Sequence, residues 1–152
     1  MDVFDKKILD ILQRDCTLPV SQVAEQVGLS TTPCWRRIQA MEKTGVIKSR
    51  VAIVDPEKIN VGLAVFVMVK TNQHNPDWLE KFSRSITEFP EIIEFYRLSG
   101  DIDYLLKIVV PDMKAFDKFY KRLITSADFS DISSSFAMEE LKNTTRLPVE
   151  YL

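Results

Sequence analysis

Histidine occurs once, at His74, and cysteine only twice, at Cys16 and Cys34. Most zinc sites and the Ser/His or Cys/His catalytic pairings therefore lack a member unless His74 itself serves. Two cysteines are too few for a disulfide framework, so both are expected as reduced thiols. Glycine is scarce at 4 residues and proline stands at 7, which excludes fibrous and low-complexity classes. No run of about 18 apolar residues is present. Met1 to Lys7 enters a charged amphipathic pattern instead of a signal-peptide core, so a soluble cytoplasmic protein with no membrane partner is expected. Positive charge is not in surplus: 20 Lys and Arg against 22 Asp and Glu give a net charge of −2, so any nucleic-acid site must be local. What remains is 152 residues that are 45% hydrophobic, 10% aromatic and 28% charged, enough for one ordinary domain or two small ones.

Residues 1 to 45 have helical periodicity. Phe4, Ile8, Ile11 and Leu12 make one apolar stripe, and Val20, Val23, Ala24 and Val27 a second. Cys34, Ile38 and Met41 make a third, ending at Gly45, with Ser30 or Thr32 available to cap its start. Cys34 reads as a small buried hydrophobe. Trp35, on the edge of the same stripe, reads as a packing residue. Val46 to Val54 then looks extended, as a wing, followed by a turn at Asp55-Pro56 and a bridge to Gly62.

Beyond that bridge the order is strand (63 to 71), helix (76 to 87), strand (92 to 98), strand (104 to 110), helix (113 to 126) and strand (132 to 141). This βαββαβ order is the ferredoxin-like split βαβ motif. Asn75 and Asp112 are helix cappers, the first of them preceding Pro76. The two halves superpose at an offset of 41, with Leu79 on Tyr120, Phe82 on Leu123 and Phe95 on Phe136. The predicted fold is α+β, divided into a winged helix-turn-helix over 1–54, a linker over 55–62 and a ferredoxin-like domain over 63–152.

A sheet with helices on one face and water on the other should alternate apolar and polar residues. Leu63 to Val69 does not alternate, and Tyr104 to Val110 is interrupted only by Lys107. The face opposite the helices therefore calls for its own cover. A partner subunit is the simplest one, and the alternative is the segment Asn143 to Leu152 of the same chain.

In a helix-turn-helix, the second helix of the motif enters the major groove and offers its early residues to base edges. Arg36, Arg37, Lys43, Lys48 and Arg50 lie between Gly28 and Arg50 against Glu42 alone, so basic charge is concentrated where DNA would be. Arg36 and Arg37 suit guanine or phosphate, and Gln39 suits adenine. Ser30, Thr31 and Thr32 suit phosphate or base acceptors, and Lys48 and Arg50 suit the backbone. The alternative is a helical subdomain with a solvated basic face.

Several segments together resemble one family. They are Asp5 to Gln13, Val27 to Ser30, Thr32-Pro-Cys-Trp-Arg-Arg-Ile38, Gly45-Val-Ile47 and Asp55-Pro56, then Gly100 to Leu106, Asp112-Met113, Ser133 to Glu139, Thr144-Thr145 and Leu147-Pro148. The chain resembles the leucine-responsive regulatory protein/asparagine-synthesis regulator (Lrp/AsnC, feast/famine) family of transcriptional regulators. The resemblance implies a DNA-binding regulator without catalytic residues or cofactor, and a homodimer assembling to an octamer. It also implies an effector, usually an amino acid, held between dimers near the loop Ser99, Gly100, Asp101, Ile102, Asp103 and Tyr104. On the last strand Ser133, Ser134 and Ser135 of the same or a neighbouring chain could contribute hydroxyl donors.

That carry-over is chemically reasonable. Gly100 permits close backbone approach and frees amides for a carboxylate, while Asp101 or Asp103 can meet an α-ammonium group. Tyr104 fits packing as well as contact. The plainer alternative for both aspartates is a turn whose carboxylates cap backbone amides. The chain departs from the family pattern at Pro19, where a capping Ser is common, at Thr31 in place of Pro, and at Asp128-Phe129 in place of Pro-Gly.

The reading reached is a sequence-specific, double-stranded-DNA-binding regulator whose DNA affinity or assembly responds to a small amino acid. Sulfur-containing and branched-chain effectors both remain open. The rivals are a ferredoxin-like RNA-binding protein, a small-molecule-binding subunit without DNA binding, and a small enzyme. The RNA rival lacks stacking aromatics on the third strand. The enzyme lacks a nucleophile and base pair, since His74 reads as a solvated turn residue.

Overall fold

Asp2 starts the first helix. Its carboxylate accepts from the Phe4 and Asp5 amides at 2.9 and 3.1 Å, and its own amide donates to the Asp5 carboxylate at 2.9 Å. This reciprocal capping box satisfies three donors that an α-helix leaves orphaned. In the computed structural model, which describes every residue except His74, α1 runs Val3–Leu12. The reading of His74 lies outside the described residues. Helix α2 (Val20–Val27) begins after Pro19, which offers only its carbonyl, and ends at Gly28, whose φ of 77° is a left-handed cap. Helix α3 spans Thr31–Lys43. The predicted stripes converge: Ile8, Ile11, Val23, Ala24, Val27, Cys34, Ile38 and Met41 form one buried cluster, joined by Leu9.

Val46 to Val54 forms no strand. Val51 and Ile53 are left 69% and 75% exposed, so the expected wing is an extended segment without a pairing partner among the described residues. Strand propensity is not enough when no second strand is available to supply the hydrogen bonds.

The chain divides into two units, one made of Met1–Ile53 with Leu141–Leu152, the other of Val54–Glu140. The last twelve residues thus join the helical unit. Gln13 grips Leu147 reciprocally: its side-chain amide donates to the Leu147 carbonyl at 3.1 Å and its oxygen accepts from the Leu147 amide at 2.7 Å. Arg146 pairs with Asp10, Lys6 bonds the Leu152 oxygen, and Val149 packs on the helical core.

In the second unit β1 (Leu63–Lys70), α4 (Pro76–Thr87), β2 (Ile92–Arg97), β3 (Tyr104–Val110), α5 (Met113–Leu123) and β4 (Asp131–Phe136) form an antiparallel sheet in the order β2-β3-β1-β4. This is the predicted βαββαβ order. Strand β4 ends at Phe136 instead of 141, because its ladder runs out opposite Val65, and α5 stops at Leu123 instead of 126. Asn75 and Asp112 cap α4 and α5 as expected, accepting from the Trp78 and Ala115 amides.

The inward faces of β1 and β3 (Val65, Val67, Val69, Leu106, Ile108, Val110) pack with Phe82, Ile86, Phe116, Phe119 and Leu123 of the two helices. Burial follows the same pattern symmetry: Phe82 and Leu123 are both fully buried, while Leu79, Tyr120, Phe95 and Phe136 flank the same core half-buried. On the other face Ala64, Phe66, Met68, Leu105 and Val109 are only half-buried, which accounts for the strands that fail to alternate. Phe82 contacts four other rings (Trp78, Phe95, Tyr104 and Phe129), so Phe82→Ala should cost about 3–5 kcal/mol of stability, read from chemical denaturation.

Candidate DNA-reading surface and effector cavity

On α3 the buried side is Cys34, Ile38 and Met41. At about 100° per residue the opposite side carries Thr32, Arg36, Gln39 and Lys43, all exposed. Ser30 stands at the N-cap without a side-chain hydrogen bond, so neither its hydroxyl nor that of Thr32 caps the helix. The first-turn amides and the hydroxyls of Ser30, Thr31 and Thr32 therefore face solvent together, at the end of the helix that attracts anions.

The cations sort into two groups. Arg37 is turned toward α1: its guanidinium lies 2.8 Å from both the Asp2 and Asp5 carboxylates and 5.5 Å from the centre of the Phe4 ring. Arg50 is tied to Glu42 at 2.8 Å and reaches the Cys16 carbonyl, and Gln39 donates to the same Glu42. Among the described residues Arg36, Lys43 and Lys48 have no ionic partner within the chain. The local excess of positive charge is thus carried by fewer residues than their count implies, and Arg37 is a joint between helices. Trp35 is not packed as expected: it is 50% exposed. Cys34 is fully buried as read, and burial raises its thiol pKa.

The β2–β3 loop is built as a turn. The Leu98 amide donates to the Asp103 carbonyl at 2.8 Å, the Asp103 amide to the Val69 carbonyl at 3.0 Å, and the Asp103 carboxylate accepts from the Thr71 amide at 2.8 Å. Gly100 takes a φ of 128°, which L side chains rarely adopt, over open space. Asp101 extends into solvent and pairs with Lys70 at 2.8 Å, a bond that raises the pKa of that ammonium, with Asp131 and Asp103 contributing. The plainer expectation, a carboxylate capping an amide, is realised at Asp103 through one oxygen.

A cavity of about 190 Å³ opens beside Asp103 and Tyr104, walled by Gln73, Asn75, Pro76, Leu79, Arg97 and Leu98. Its lining includes one acidic and one basic residue, Asp103 and Arg97, together with Pro76, Leu79 and Leu98. Arg97 was not singled out from the sequence, although a hairpin centred on Gly100 sets it opposite Tyr104. Tyr104 is 5% exposed, stacked among Trp78, Phe82 and Phe95, so it is chiefly a packing residue. Ser99 and Ile102 belong to the loop but not to the cavity wall. Ser133 and Ser135 pair with Met68 and Phe66, with Ser134 between them opposite Val67. Strand β1 therefore separates all three serines from the β2–β3 loop within one protomer. On the open face β3 presents Leu105, Lys107 and Val109, with no aromatic ring of the kind an RNA-stacking strand requires.

A three-helix unit whose third helix turns a basic face outward, and a sheet unit whose cavity is lined by residues of both charges, are the parts of a ligand-responsive transcriptional regulator. Residues 1–42 match the AsnC-type helix-turn-helix domain and residues 64–147 the Lrp/AsnC ligand binding domain. The chain belongs to the Lrp/AsnC family. It is 48% identical over 151 residues to the DNA-binding transcriptional activator DecR of Escherichia coli K12, covering 99% of both chains. An AsnC family transcriptional regulator from Agrobacterium tumefaciens superposes with a TM-score of 0.97 at 57% identity, over 100% of this chain and 99% of that one. The regulator NMB0573 of Neisseria meningitidis, solved as a complex with L-Met, superposes at 0.94 with 36% identity, over 99% and 98%.

Two outcomes follow for Arg37 and its carboxylates. Arg37→Ala should lower the melting temperature while Arg36→Ala leaves it unchanged, in paired thermal melts. The Asp5 amide, the Arg37 guanidinium and the Phe4 amide together hold Asp2 below the usual carboxylate range against its partial desolvation. A depressed folded-state pKa contributes stability above the unfolded value and loses it as pH falls through the folded one. Asp2→Asn, which keeps a capping oxygen, should therefore flatten the acid limb of a stability-versus-pH curve below about pH 4.

Proposed function

We propose that the chain is a cytoplasmic, sequence-specific DNA-binding transcriptional regulator that reads (pseudo)palindromic duplex DNA as a homodimer or higher assembly and changes its affinity or assembly when a small amino acid binds. The observation that carries the DNA reading is the division of cations on and after α3. Arg37 and Arg50 are committed within the chain, whereas Arg36 stands at the middle of the outward face without a partner among the described residues, beside uncapped hydroxyls and amides. Arg36 then reads a base, Thr31 and Thr32 seat a phosphate, and Lys43 and Lys48 lie on the flanking backbone.

A zwitterionic effector needs an anion receptor and a cation receptor within one molecule's length. Arg97 and Asp103 in the 190 Å³ cavity are such a pair, and Leu79 and Leu98 leave room for a short side chain. The Neisseria relative that was solved with L-Met makes a sulfur-containing amino acid the first to test. Such a ligand alters DNA binding only if it favours one state of the protein over another. The half-buried apolar face of the sheet is the surface through which two copies pair.

Arg36→Ala should weaken a specific duplex by roughly 1–3 kcal/mol and relax one base position, while Lys48→Ala weakens all sequences alike and flattens the salt slope. Anisotropy titrations at several salt concentrations read both, and unchanged affinity in both variants would rule out this surface. In a thermal-shift screen of the twenty amino acids, the shift given by the active one should vanish in Arg97→Ala and Asp103→Ala. A normal shift in both places the effector elsewhere.

A further inference from the structure

An indole is the largest apolar side chain, and a fold normally buries most of it. Trp35 stays 50% exposed although Cys34 before it is 0% and Ile38 after it 1% exposed. It has no aromatic or cation partner among the described residues, unlike Trp78, which lies 4.9 Å from Phe82 in the core of the other unit. Nothing inside the helical unit accounts for its exposure.

Its position is informative. Trp35 is one residue from Arg36 and three or four from Thr31, Thr32 and Gln39, all exposed on the same helix. It stands on the flank away from Arg37, whose guanidinium is held against α1. A helix lying in the major groove with Arg36 on the base edges would set this flank against the groove floor and one wall. The apolar feature presented there is the thymine 5-methyl group.

Resting on the DNA reading above, we infer that Trp35 is a specificity-determining contact whose exposed indole packs on thymine methyl groups next to the base read by Arg36. Free protein keeps the ring wet because its cover is the duplex. The polar residues around it orient the helix, and the ring discriminates.

The test uses the intact chain and a duplex that it selects from a randomised library. Trp35 and Trp78 are its only tryptophans, so Trp35→Phe leaves Trp78 as sole reporter. Saturating duplex should quench or blue-shift the emission of the parent chain and leave that of Trp35→Phe unchanged. Replacing thymine by uracil, which deletes only the methyl group, should weaken the parent roughly four-fold at one or two positions, the worth of a buried methyl. Trp35→Ala should bind the two duplexes equally while keeping its thermal stability and its low-salt affinity for unrelated DNA. A chain that enriches a duplex but shows no emission change, or a Trp35→Ala variant as sensitive to uracil as its parent, overturns the inference alone. So does an emission shift on dilution without DNA, which would mean that a second copy covers the ring. A chain that enriches no duplex overturns the DNA reading and this inference with it.

Discussion

The rotation of α3 about its own axis is the constraint on which the helical unit depends. A thirteen-residue helix can present only one face outward, and half a turn about its axis would exchange its buried side for its exposed basic side. Two interactions fix that angle. Cys34, Ile38 and Met41 enter the core from one side, and Arg37 on the adjoining flank is clamped by the carboxylates that also cap α1. Because Asp2 and Asp5 are engaged in the capping box, the start of α1, the placement of Arg37 and the direction of Arg36 are one linked arrangement. Exposed ion pairs contribute little singly, but here two carboxylates and an aromatic face converge on one guanidinium.

The same arrangement explains why a chain of net charge −2 can bind a polyanion. Binding depends on where unpaired cations stand, not on their number. Glu42 neutralises Arg50, and Asp2 with Asp5 neutralises Arg37, so the outward face is marked by the cations that are left over. The cavity unit uses comparable economy. Asp103 caps the Thr71 amide with one oxygen, fixing the loop, and the same residue lines the cavity that Arg97 also lines. One residue thereby both builds the turn and lines the cavity.

Periodicity made the elements legible: the three helical stripes, both capped helices of the sheet unit and the strand order all follow from apolar spacing and cap residues, which act within a few positions of sequence. The family resemblance added the function and the loop. What local pattern does not encode is pairing at a distance. Arg36 and Arg37 are identical side chains in adjacent positions, and only the presence of α1 beside one of them separates their roles. Trp35 sits at the margin of a stripe, where spacing leaves inward and outward equally allowed. Arg97 enters the cavity wall through its register with Tyr104, and Val46 to Val54 lacks a strand because no partner strand reaches it.

The last twelve residues could not be assigned by pattern at all, since their contacts are with a helix more than 130 positions earlier. Their placement changes how the two units are connected. The chain leaves the helical unit once near Ile53 and returns to it after Glu140, so the DNA-reading unit is joined to the sensing unit by two covalent crossings. The second crossing is anchored through Gln13 at the C-cap of α1 and through Asp10 and Lys6 on α1 itself, the helix whose capping carboxylates hold Arg37. The tail and α3 therefore share α1 as a common support, and the segment following β4 ends on the element that helps set the angle of α3.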